Sequence, residues 1–159
     1  MQYVEERIKR LLQELETRIY PIKTPVSGIR MKKTREQYDP SAGINTTDWE
    51  VCPPEPLWGG HREYFWFSME VDIPETFAGM PVEIEVRTGR EEPREKGEEW
   101  GWDALNPQFT AFVNGRIVQG LDINHRDILL TEQAKGGEHF TVVLSAFTGD
   151  QNPTLKLDC

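Results

Sequence analysis

Cysteine is scarce in this chain: two residues in 159, Cys52 in a Pro-rich stretch and Cys159 at the last position. A disulfide-stapled scaffold needs more than that. Neither thiol has a second Cys or His at metal-ligand spacing. The pair reads as two unpaired thiols in a reducing compartment. Basic residues are also short, 18 Lys and Arg against 27 Asp and Glu, for a net charge of -9. Binding a phosphate backbone takes clustered cations, so nucleic acid is excluded as a partner. The acidic surplus bears on solubility instead. No apolar run approaches the ~20 residues that cross a bilayer, and no membrane partner is expected. The opening MQYVEERIKR is charged from its fifth residue and lacks the apolar stretch of a signal peptide. The expected location is cytoplasmic.

Catalytic signatures are missing too. There is no Gly-rich phosphate loop, nucleophile elbow or Cys-x-x-Cys. Glycoside hydrolysis needs two carboxylates held across the scissile bond. Here the acids fall in the 91–99 run or on outward strand positions, where charge is solvated, and no pair stands out. Three histidines occur, His61, His125 and His139, whereas a zinc site takes three or four convergent ligands. His139 stands ahead of a strand and looks ordinary. The expectation is a chain with no catalytic residue, no metal site and no cofactor of its own.

What is present is pattern. The length suits one domain with a helical appendage, and such a chain buries roughly two-thirds of its unfolded surface without staples. Residues 3–20 read as an amphipathic helix, with Val4, Ile8, Leu11, Leu12, Leu15 and Ile19 at three- and four-residue steps and Pro21 as its stop. That stripe must cover either the rest of this chain or a part of the protein outside it. Residues 21–62 show little periodicity and many Pro and Gly, and read as a connecting segment. From residue 63 the period becomes two. Phe65, Phe67, Met69, Val71 and Ile73 share one face of a strand. Val82, Ile84 and Val86 share one face of the next. Asn114-Gly115 joins two short strands as a two-residue hairpin. Phe140, Val142, Leu144 and Ala146 mark another strand after the Gly136-Gly137 turn, and TLKLDC is the last. Six or seven short strands over 63–159 without crossover helices mean a mainly β sandwich or jelly roll. The chain stops inside a strand, which suggests a piece of something longer.

Three places compete for function. In 120–127, Asp122, Asn124 and His125 either gather a cation or cap a turn through side-chain-to-backbone bonds. Trp58, Gly59, Gly60 and His61 form either a tight lead-in to the aromatic strand or a loop touching a ligand or neighbouring domain. Trp100 and Trp102, with Trp49 and Trp58, either stack on sugar rings or seal a domain contact.

In order, Trp-Gly-Gly-His at 58–61, the aromatic run 64–67, VDIPETFAGMPVEIEVRTG, then AFVNGRIVQGLDINHRDILL and AKGGEHFTVVLSAFTG resemble the N-terminal domain of family 38 glycoside hydrolases. The resemblance is to the branch of cytosolic or vacuolar α-mannosidases of bacteria and fungi, and the blocks cover about residues 57–149. The resemblance implies a galactose-binding-like β-sandwich placed before a catalytic barrel that holds zinc and an aspartate nucleophile. The carried-over residues are Trp58, Gly59, Gly60, Trp66, Asn114, Gly115, Gly120, Asp122, Asn124 and His125, with a structural or interdomain role. It implies a non-catalytic accessory domain, with the catalytic domain of the same chain, further copies of the enzyme and a carbohydrate as partners. An independent carbohydrate-binding module or interaction domain is the alternative.

Overall fold

The computed structural model describes residues 2–35, 43–53, 57–87, 107–122, 124–149, 154–157 and 159. The protein is a mainly β sandwich preceded by one helix. Helix α1 spans Gln2–Ile19. Among the described residues the strands are β1 Arg30–Lys33, β2 Glu50–Val51, β3 Leu57–Gly59, β4 Tyr64–Asp72, β5 Val82–Glu85, β6 Gln108–Val113, β7 Arg116–Leu121, β8 Asp127–Thr131, β9 His139–Phe147 and β10 Thr154–Lys156.

One layer is a six-stranded antiparallel sheet in the order β2-β1-β4-β9-β6-β7. The other is built from two antiparallel pairs, β5 with β8 and β3 with β10. The spine of the large sheet is β4 against β9, in unbroken register from Tyr64 opposite Phe147 to Asp72 opposite His139. Alternation decides which face points in. Phe65, Phe67 and Met69 of β4 and Val142, Leu144 and Ala146 of β9 are buried. They meet Ile84 and Val86, Ile128, Trp58 and Leu157 from the opposite layer in one cluster. Removing a side chain such as Phe67 from water contributes roughly 1.5–3 kcal/mol. Val71 and Phe140 pack between this core and a satellite of Ile73, Val82 and Ala134.

The hairpin forms where Asn-Gly demands it. Asn114 and Gly115 have φ of 49° and 75°, the pair of left-handed residues that suits the twist of the flanking strands. The Gly136-Gly137 turn packs on the 3-10 turn Glu75–Phe77: a Cβ added at Gly136 would lie 3.0 Å from the Glu75 Cα.

Residues 21–62, expected as a connection, supply three strands. β1 docks on β4 with Arg30 opposite Ser68 and Lys33 opposite Phe65, and β3 places Trp58 in the core. Residues 127–131, not expected as a strand, form β8 and complete the second layer with β5. α1 carries its apolar stripe as expected, yet the stripe lies open: Leu11 is 49% and Leu15 52% exposed. No helix among the described residues is long and apolar enough to cross a membrane.

Candidate functional site

Trp58 lies on β3 rather than on a loop. Its ring is buried and meets Phe65, Phe67 and Phe109 at centroid distances of 5.7, 5.5 and 5.2 Å, the first two edge-on. Its indole N–H is buried with no hydrogen-bond partner among the described residues. Gly59 and Gly60 take φ of 136° and 113°, which lets the chain turn sharply from β3 toward β4. That turn is anchored on the far end of β9: Arg62 N–H donates to the Gly149 carbonyl, and Glu63 N–H to the buried Thr148 hydroxyl. His61 is exposed beside it. Trp49, also read as a loop aromatic, is buried against Trp66 at 5.9 Å. Trp100 and Trp102 lie outside the described residues.

Asp122, Asn124 and His125 are brought together, and their bonds are those of a capped turn. Asp122 Oδ1 accepts from Asn124 N–H and His125 N–H, both at 2.8 Å, and lies 3.0 Å from His125 Nδ1. Asp122 N–H closes the turn on the His125 carbonyl. The bond from Asn124 N–H is the main cause of a lowered Asp122 pKa, with the His125 bonds adding to it. One of the two Asp122 carboxylate oxygens is thus committed to backbone donors. Among the described residues, no three His, Cys, Asp or Glu side chains converge to hold a metal.

The same Asp122 stands at one end of a groove of about 500 Å³ on the outer face of the large sheet. Cross-strand neighbours build it. Tyr64, Phe147 and Gln108 lie side by side on β4, β9 and β6, and Ser145, Thr110 and Gly120 lie side by side on β9, β6 and β7. Tyr64 and Phe147 stack at 4.7 Å with their planes 33° apart, and Tyr64 remains 42% exposed. Gly120 has no side chain to fill the floor. The groove therefore offers an aromatic ledge beside a row of hydroxyl and amide groups.

A second polar cluster escaped sequence reasoning. His139, taken as ordinary, sits opposite Asp72 in the β4–β9 ladder. Its Nδ1 is 2.8 Å from Asp72 Oδ1 and its Nε2 is 2.9 Å from Glu70 Oε2, which also accepts from the Thr141 hydroxyl at 2.7 Å. The Asp72 bond, chiefly, raises the His139 pKa, and the two carboxylate charges add to it. Its carboxylate partners are 67 and 69 residues away in sequence, so only the β4–β9 register could have signalled it.

A cleft of about 590 Å³ opens between the layers, where β4 beyond the end of β1 faces β5. Val71, Ile73 and Val82 line it, with Tyr20 and Lys23 of the following segment at its mouth. Asp127 is the main cause of a raised Tyr20 pKa. Cys52 and Cys159 form no disulfide, and burial raises the Cys52 pKa.

No family model matches the chain, and no curated protein matches it. Solved structures of similar shape include β-glucuronidase of Ruminococcus gnavus with D-glucuronic acid bound. That chain is 16% identical over 81% of this chain and 23% of its own length, at a TM-score of 0.41. A second structure of the R. gnavus enzyme gives 16% over 82% and 23%, at 0.40. This chain thus spans under a quarter of those enzymes, and a likeness that loose carries no argument about activity.

Proposed function

We propose that this sandwich is a non-catalytic accessory domain of a glycoside hydrolase, the N-terminal domain of an α-mannosidase. The reading rests on the ordered motif blocks, and the observation that carries it is how their residues are used. Trp58 fills the core, Gly59 and Gly60 turn the chain, Asn114-Gly115 closes a hairpin, and Asp122 caps the turn through Asn124 and His125. The motif is spent on architecture, as fits a domain whose task is to be packed against. Its partner is a downstream catalytic barrel, which would supply zinc as Lewis acid and the reacting carboxylates. Two cysteines that form no disulfide are compatible with the cytoplasmic location this reading proposes.

Two measurements test this. Purified chain supplied with zinc is expected to leave an aryl α-mannoside unhydrolysed; turnover that follows the protein through purification would overturn the non-catalytic role. The coding sequence downstream of Cys159 is expected to continue into a barrel with a metal-binding pattern; a frame that stops would overturn the accessory role.

The outer-face groove favours a second reading, an independent carbohydrate-binding module. Tyr64 on Phe147 offers a sugar ring an apolar face, and Gln108, Thr110 and Ser145 offer hydrogen bonds. Saccharide titration separates the two. Saturable binding lost in Tyr64→Ala supports the module; no heat and no line broadening with mannosides or glucuronides removes it.

A further inference from the structure

The stripe on α1 is apolar and open. Val4, Ile8, Leu11, Leu12, Leu15 and Ile19 are between 49% and 63% exposed. They occupy an arc of about 100°, wide enough for a packed face. The helix itself indicates what covers that face. Reversed about its midpoint between Leu11 and Leu12, α1 maps Val4 onto Ile19, Ile8 onto Leu15 and Leu11 onto Leu12. The same reversal maps Glu5 onto Arg18 and Lys9 onto Glu14. Apolar positions meet apolar positions, and acids meet bases. A sequence complementary to its own reverse is what a two-fold contact between identical helices requires.

We propose that α1 is a self-pairing element: two copies of this chain associate through antiparallel α1 stripes, about a two-fold axis at the level of Leu11 and Leu12. In heptad terms Ile8 and Leu15 take position a, Val4 and Leu11 take d, and Arg7 and Glu14 both take g. Like flanks face each other in an antiparallel pair, so Arg7 of one helix stands beside Glu14 of the other, twice by symmetry. The axial offset between them is two residues, about 3 Å at the helical rise, within reach of both side chains. A parallel pair would set g against e, where Leu12 and Ile19 offer no charge. Charge therefore selects the antiparallel arrangement. It also disfavours an anionic lipid surface as the occupant. Glu5, Glu6, Glu14 and Glu16 balance Arg7, Lys9, Arg10 and Arg18, whereas lipid-binding helices carry a basic excess.

An 18-residue helix is about 27 Å long, and one such pair buries less than the ~1,200 Å² of a standard interface. The dimer is therefore weak and dissociates on dilution. It is independent of the enzyme reading above.

Sedimentation equilibrium of the whole chain over a wide concentration range tests the association. The expected result is a monomer–dimer equilibrium, absent in Ile8→Glu with the sandwich intact by near-UV circular dichroism. Arg7→Glu and Glu14→Arg are each expected to weaken the dimer roughly tenfold, and the double reversal to return it to within about threefold of the parent. The double variant is the deciding one, because Glu14 also lies 3.5 Å from Arg10 within its own helix. A parent that stays monomeric at every concentration, or a double reversal as weak as the singles, would overturn the proposal.

Orientation is tested without disturbing the stripe's charges. In a background with Cys52→Ser and Cys159→Ser, Val4→Cys chains mixed with Ile19→Cys chains should couple through a short bismaleimide. Val4→Cys chains alone should couple far less. Faster coupling of Val4→Cys to itself would mean a parallel pair and sink the antiparallel assignment.

Discussion

Trp58 and Phe67 touch the same core from opposite layers, with rings 5.5 Å apart, but they should respond differently to trimming. Phe67 is fully buried among apolar neighbours, and Phe67→Ala is expected to cost about 3–5 kcal/mol. Trp58 buries an indole N–H that has no acceptor among the described residues, and a buried donor without a partner is itself a cost of about 1–3 kcal/mol. Trp58→Phe gives up packing but also relieves that group. It is expected to cost less than about 1.5 kcal/mol; urea melts of the two variants make the comparison. His139 acts by charge. Its pKa is raised in the folded state by Asp72 and Glu70, so its contribution is complete below the unfolded value near 6.5. That contribution is lost as pH rises through the folded value. The parent chain should therefore lose melting temperature relative to His139→Gln as pH is raised from about 6 to 9. A difference that stays constant with pH would refute the linkage.

At the scale of elements, glycines that look alike in sequence divide by what surrounds them. Gly79 and Gly136 both have positive φ, 83° and 87°. A Cβ at Gly79 would meet nothing within 4 Å, whereas at Gly136 it would lie 2.5 Å from Glu75 Oε2 and 3.0 Å from Glu75 Cα. Gly79→Ala should cost about 1 kcal/mol from backbone strain alone. Gly136→Ala should cost distinctly more, because the loop at 136–137 must leave the 3-10 turn. Denaturant midpoints of the pair check this. The same contrast explains what was legible beforehand. β4, β5 and β9 declared themselves by clean alternation, and the β6–β7 hairpin by Asn-Gly. β1 did not, because Arg-Met-Lys-Lys has a single apolar residue and is a strand only through its ladder to β4. β8 did not, since Asp-Ile-Leu-Leu-Thr lacks alternation and is fixed by β5. Trp58 read as a loop residue because prolines and glycines surround a strand of three. Of the site, the Asp122 turn was visible as local chemistry. The groove and the His139 cluster were not, because cross-strand neighbours create them.

For the whole molecule, the decisive fact is that one core cluster draws on residues from Ile29 to Leu157. Residues 21–62 are knitted into both layers through β1 and β3, and the satellite cluster of Ile73, Val82 and Ala134 is joined to the main core through Val71, Leu130 and Phe140. Unfolding is expected as a single cooperative transition, with tryptophan fluorescence, to which buried Trp49 and Trp58 contribute, coinciding with far-UV circular dichroism. Separate midpoints for the two probes would show that the layers unfold independently. α1 stands outside this unit, and its melting should follow protein concentration rather than sandwich stability.

The Asn114-Gly115 hairpin has a chemical as well as a structural meaning. Asparagine before glycine is the sequence most prone to deamidate, through attack of the glycine nitrogen on the side-chain amide. Here both residues are locked in left-handed backbone, and Asn114 Oδ1 accepts from Thr141 N–H at 3.0 Å. The folded turn withholds the cyclisation geometry that a loose chain would reach. Ageing at this bond should thus record time spent unfolded: conversion of Asn114, followed by peptide mass spectrometry, is expected to be slow in buffer and to accelerate at sub-denaturing urea. Equal rates in both would show that the turn gives no protection.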